Sequence, residues 1–154
     1  MVYNGIIVSG VTGWAVAQII KTCLHFIKFK HFYAQRLVGA GGMPSSHTSM
    51  VISALISVAK KDGTASTSFA LMFLFGAIVI YDAMGVRRAS GLHAKELNKI
   101  NEFFPDLKNF KLDERDKKNI KDKKLQEYLG HTPLEVIGGA IVGIIVGMII
   151  PISI

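Results

Sequence analysis

The distribution of charge constrains this chain more than any other feature. Of its 29 Asp, Glu, Lys and Arg residues, 20 fall between Arg87 and Glu127. The remainder of the 154 residues is almost uncharged. A soluble domain carries about a quarter charged residues. This chain has 19%, against 50% hydrophobic, and a mean hydropathy of +0.38. Long uncharged apolar runs are what a bilayer core demands. The pattern excludes a disordered chain and an ordinary nucleic-acid module. A lone cysteine, Cys23, excludes an internal disulfide. In a soluble protein the formal charge of +7 would point to nucleic acid. In a membrane protein it reflects cytoplasmic loops and anionic headgroups, so no nucleic-acid partner is expected.

The expected fold is all-α: a polytopic membrane helix bundle of about four transmembrane helices, forming one domain over residues 1–154. The spans are expected at about 5–29, 46–61, 67–86 and 132–154, with a charged cytoplasmic loop at 87–130 that contains short helices, for example Lys111 to Tyr128. Gly39, Gly41, Gly42 and Pro44 break the chain before the second span. Asp62, Gly63 and Thr64 connect the second and third. The loop at 87–130 holds 12 Lys/Arg and 8 Asp/Glu and reads first as a solvated face, with a lipid-headgroup role for its surplus lysines as the other reading. Lys21 interrupts the first span, where it would snorkel to the interface or face a polar site. Gly139, Gly143 and Gly147 form a small-residue face on the fourth span, for a partner helix of the same chain or of a second protomer.

Orientation follows from the basic residues. Lys28, Lys30 and Arg36 at and after the end of span one and the loop after span three hold 3 and 12 of the 18 Lys/Arg, whereas the opposite side has only Lys60 and Lys61. The positive-inside rule puts the basic side in the cytoplasm and both termini outside. The reactive side chains then gather at the cytoplasmic interface. Ser45, Ser46 and His47 open span two. Asp82, Arg87 and Arg88 end span three. His131 and Glu135 open span four, and Lys30 and Arg36 follow span one. His131 and Glu135 stand at i, i+4 and share a helix face. A carboxylate there can orient an imidazole as base or nucleophile; equally, the pair can simply cap the helix start. Ser45 and Ser46 suit an N-cap and also an anion. Arg87 and Arg88 suit phosphate forks or a membrane anchor. Asp82 suits an interface ion pair.

The strings GGMPSSHTS, YDAMGVRRASG and LGHTPLEVIGGAIVG resemble a divergent, bacterial and plastid branch of the type 2 phosphatidic acid phosphatase and vanadium haloperoxidase superfamily. Pro44-Ser45-Ser46-His47 is similar to its P-S-G-H motif, and the stretch from His131 to Gly138 to its H-x-x-x-D-V-x-x-G motif. The resemblance covers about Gly5 to Met148. It implies a phosphohistidine mechanism without metal or cofactor. His131 would be the nucleophile, Glu135 its orienter and His47 the general acid. Ser45, Ser46, Arg87 or Arg88, Lys30 and Arg36 would bind phosphate. The departures are specific. Ser46 stands for a glycine and Glu135 for an aspartate. Arg87 and Arg88 lie 44 and 43 positions before His131 rather than six. Lys30 and Arg36 are one residue closer than the family's K-x6-R spacing.

The resemblance implies a membrane lipid phosphatase of the bacterial cytoplasmic membrane, or of a plastid membrane in a plant. It would act on phosphatidylglycerophosphate, phosphatidate or a prenyl phosphate at the cytoplasmic face. Four spans make a small scaffold, so a homodimer through Gly139, Gly143 and Gly147 is an expected option. Two alternatives stand beside this: a metal-dependent hydrolase using His47, Asp82, His131 and Glu135, and a non-catalytic phospholipid-binding scaffold. The topology has a direct test. A C-terminal alkaline phosphatase fusion should be active and a C-terminal fluorescent protein dark in bacteria; a bright C-terminal fluorescent fusion would reverse the orientation.

Overall fold

The computed structural model describes residues 4–30, 42–103, 125 and 130–152. Among them are five helices and no strand: α1 (Gly5–Phe29), α2 (Ser46–Asp62), α3 (Thr67–Met84), α4 (Val86–Phe103) and α5 (Pro133–Ile149). Polar caps set four of the starts. The Asn4 side chain accepts from the amides of Ile6 and Ile7, Ser45 from Thr48, Ser66 from Phe69 and Thr132 from Glu135. These helices coincide with the four apolar stretches of the sequence to within a few residues. The helical piece expected at Lys111 to Tyr128 lies, Leu125 apart, outside the described residues.

After α3 the chain bends at Gly85 and continues as α4 to Phe103, a helix within the 87–130 connection that was expected to contain short helices. The reason is the pattern of α4, which alternates between two faces. Arg88, Lys95 and Lys99 lie on one side, and Val86, Leu97 and Ile100 on the other. The stretches 5–27 and 67–100 are long and apolar enough to cross a membrane. α5 is apolar but has 17 residues, and α2 also has 17. At about 1.5 Å per residue each is roughly 25 Å long.

α2 is the central helix, packed against α1, α3 and α5. Its composition requires that place. Ser46, Thr48, Ser49, Ser53 and Ser57 are all buried, and hydroxyls facing lipid would lack partners. Those that look toward α1 bond its backbone: Ser49 Oγ donates to the Gly13 carbonyl at 2.8 Å and Ser53 Oγ to the Ser9 carbonyl at 2.7 Å. Ser9 and Ser53 hydroxyls also meet at 2.9 Å. The pairs Ser9–Ser53 and Gly13–Ser49 define an antiparallel register. On the other side α5 runs parallel to α2. Gly139, Gly143 and Gly147 face the carbonyls of Ser45, Ser49 and Ser53 in turn. The small-residue stripe is therefore filled by α2 of the same chain, and a dimer through it would have to displace α2.

The two ends of the bundle are distinct. Gly5 lies beside Pro151 and Ile152, so the start of α1 and the end of α5 share one end. There Lys60 Nζ donates to the carbonyls of Gly147, Met148 and Ile150 at 3.2, 3.0 and 2.8 Å. A cation at a helix C-terminus satisfies carbonyls that have no intrahelical partner. The starts of α2 and α5 form the opposite end. The α2–α5 contact has a sharp test. A Cβ on Gly143 would sit 2.7 Å from the Ser49 carbonyl oxygen and 2.9 Å from Ile52 Cβ. Gly143→Ala should lower stability by about 1–3 kcal/mol, the usual cost of overpacking, despite alanine's better helix propensity. Thermal unfolding in detergent reads this; an unchanged or higher Tm would refute the close approach.

Candidate active site

The sequence builds the centre of this site from a helix start. Thr132 caps α5, and its hydroxyl accepts from the Glu135 amide at 3.4 Å. The Glu135 carboxylate reaches back to the Thr132 amide at 3.1 Å, which completes a capping box. The same Oε2 atom meets His131 Nδ1 at 3.0 Å. A carboxylate only accepts, so Nδ1–H donates and the Nε2 lone pair points away. His131 is 2% exposed. Two backbone bonds fix this corner. The His131 amide donates to the Ala83 carbonyl at 2.9 Å, tying it to the end of α3, and the Ser45 amide donates to the Glu135 carbonyl at 2.9 Å. Gly130, with φ of 85°, lies against the Arg88 backbone, where a side chain would collide.

His47, in the first turn of α2, faces His131. The ring centroids are 6.1 Å apart and the planes are tilted by 59°. His47 Nδ1 and His131 Nε2 are both buried without a hydrogen-bond partner. Buried polar atoms are nearly always bonded, so two such atoms on neighbouring imidazoles mark a place for a ligand or ordered solvent. Ser45 and Ser46 are fully or almost fully buried beside them. Ser45 Oγ is committed to capping, accepting from the Thr48 amide at 3.3 Å and bonding the Thr48 hydroxyl at 3.0 Å.

The basic residues separate into groups. Arg87 pairs with Asp82, Nε to Oδ2, at 2.7 Å. It also lies within electrostatic reach of both histidines. Arg88 is exposed. Lys30 is exposed at the C-terminal cap of α1, and Arg36 lies outside the described residues. Lys21 was not among the residues the motifs nominated, yet it is 5% exposed and also reaches both histidines electrostatically. Its sequence signal was a lone cation inside an apolar helix. Among the described residues, no three His, Cys, Asp or Glu side chains gather as a metal site.

His131 stands just outside α5, and its pKa is lowered from the usual imidazole value. Burial is the main cause, and the charges of Lys21 and Arg87 add to it. The hydrogen bond and charge of Glu135 oppose the shift. The result is a neutral imidazole, oriented by a carboxylate, with a second imidazole 6.1 Å away between ring centroids.

The chain is 36% identical over 149 residues to the uncharacterized membrane protein YuiD of Bacillus subtilis (strain 168), covering 94% of this chain and 92% of that protein. No solved structure matches. The model of the divergent PAP2 family matches residues 2–146, which takes in the caps, both histidines and the α2–α5 contact. The chain belongs to the divergent PAP2 family.

Proposed function

We propose that the protein is an integral membrane phosphatase that hydrolyses a lipid phosphate through a phosphohistidine intermediate at the cytoplasmic face. The observation that carries this reading is the pair of buried imidazole nitrogens, His131 Nε2 and His47 Nδ1, both without a partner on neighbouring rings. In this reading α1, α2, α3 and α5 each cross the bilayer.

The steps of this reading are as follows. His131 Nε2 attacks phosphorus, and the bond to the lipid oxygen breaks. His47 gives its proton to that oxygen as it leaves. Glu135 stabilises the imidazolium character that develops on His131 through Nδ1–H. Water, deprotonated by His47, then attacks phosphorus and releases inorganic phosphate and free His131. Charge on the equatorial oxygens is met by Arg87 and by the amides at the start of α2. No metal is needed for these steps. Phosphatidate, phosphatidylglycerophosphate and prenyl phosphates share the required group.

Purified protein in detergent should release phosphate from at least one of these lipids. His131→Ala should lower kcat by about a thousandfold or more, as loss of a nucleophile does. His47→Ala should cost about 10²–10⁴-fold. No release from any lipid, or full activity in His131→Ala, would refute the hydrolase reading. The charge state has its own test. Histidine-selective NMR in micelles should show His131 titrating below the usual imidazole range. Because burial favours its neutral form, its contribution to stability is present at neutral pH and falls away as the medium is acidified. Glu135→Gln removes the interactions that raise this pKa, so the midpoint should drop further; a rise would show that Glu135 does not act on His131.

A further inference from the structure

α4 leaves the bundle at the end that holds both histidines. α3 stops there, where the Ala83 carbonyl receives the His131 amide, and only Gly85 separates it from α4. Among the described helices α4 packs against α3 alone. Its first turn is held by the close approach of Gly130 to the Arg88 backbone. The helix is unsuited to crossing a bilayer, because Arg87, Arg88, Lys95, Glu96, Lys99 and Glu102 are spread along it.

At about 100° per residue, α4 divides into three strips. Gly91, Ala94 and Asn98 make a buried one. Leu125 is tied to it: Asn98 Nδ2 donates to the Leu125 carbonyl at 2.9 Å, and Asn98 Oδ1 accepts from the Leu125 amide at 3.1 Å. Opposite stands an apolar arc of Val86, Leu92, Leu97, Ile100 and Phe103, each between 46% and 79% exposed. Arg88, Lys95 and Lys99 form a basic border between the two. His93 and Glu96 lie within the arc, and the Glu96 carboxylate turns to Lys99 Nζ at 2.8 Å.

Five exposed apolar side chains on one strip form a patch that water solvates poorly. A helix closed on one side, apolar on the other and basic at the border is the form that rests in the plane of a membrane interface. Attachment to α3 through one residue keeps the arc beside the end of an apolar helix, so seating it on lipid costs little association entropy. His93 and Glu96 limit its depth, because polar groups resist the acyl core. The basic border selects the sign of the surface, since each lysine near an anionic leaflet gains from its potential.

We propose that α4 is an interfacial helix whose apolar arc seats in the headgroup–acyl boundary of an anionic lipid surface, with Lys95 and Lys99 among the headgroups. The seat is separate from hydrolysis at the histidines and is measured without substrate.

The experiment uses the full chain with Trp14, its single tryptophan, replaced (Trp14→Phe) and a reporter introduced by Leu97→Trp. The protein is reconstituted in vesicles of phosphatidylcholine alone, or of phosphatidylcholine and phosphatidylglycerol in equal parts, with brominated acyl chains as the quencher. In the anionic vesicles about half or more of the reporter emission should be quenched, as for a side chain at the acyl boundary. In phosphatidylcholine alone, and in anionic vesicles once Lys95→Glu and Lys99→Glu are added, the quenched fraction should fall about twofold or more. An unquenched reporter in anionic vesicles would overturn the seat. So would equal quenching in the two vesicle types, or an emission that moves to the blue only as protein per vesicle rises, the mark of a second copy on the arc. Unfolding temperature is the folding control. Should the double lysine variant not fold, the two vesicle compositions decide with Leu97→Trp alone; should Leu97→Trp not fold, Ile100→Trp carries the reporter.

Discussion

The rest of the structure depends on how closely α2 lies against its two partners. On one side a Cβ added to Gly13 would stand 2.8 Å from Ser53 Cβ; on the other, Gly139, Gly143 and Gly147 clear the α2 backbone. Apolar burial discriminates little between helices in a lipid-like environment. Close backbone approach and hydrogen bonds between helices do the work instead. Ser49 and Ser53 use their hydroxyls toward α1 while their carbonyls lie under the glycines of α5. Each serine therefore fixes two interfaces. The register that results sets Ser45 against Glu135 and places His47 opposite His131.

The second economy is at the start of α5. A capping box is a common device for satisfying free amides. Here its Glu135 carboxylate also receives the imidazole N–H of His131. One oxygen thus ends a helix and sets a tautomer. The substitution of glutamate for the family's aspartate fits this double use, since the longer side chain spans from the third position of the helix back to both its cap and the residue before it.

Much of this was legible in the sequence, and the exceptions have physical causes. Helix limits were readable because the apolar runs are bounded by Gly39, Gly41, Gly42 and Pro44 and by Asp62, Gly63 and Thr64, which are local signals. The His131–Glu135 contact was readable because i, i+4 geometry is fixed within one helical turn. An ion pair for Asp82 was readable, with Arg87, Arg88 or a lysine as its partner. The continuation of α3 into α4 was not, because charge after Arg87 resembles a loop when faces are not separated. The placement of Gly139, Gly143 and Gly147 against α2 was not readable either, because a small-residue stripe names a close neighbour without naming which. Lys21 was visible as an anomaly, but its destination depended on the α1–α2 register. That register rests on serine-to-carbonyl bonds between residues more than thirty positions apart.

Helix length then connects the fold to the chemistry. α2 and α5 have 17 residues each, whereas α1 has 25 and continues past the level where α2 begins. At about 1.5 Å per residue the shorter pair is roughly 25 Å long, against roughly 37 Å for α1. The Ser9–Ser53 and Gly13–Ser49 register leaves the start of α2 short of the end of α1. A histidine at such a start is enclosed by longer neighbours, which accounts for the burial of His131 and its preference for the neutral form.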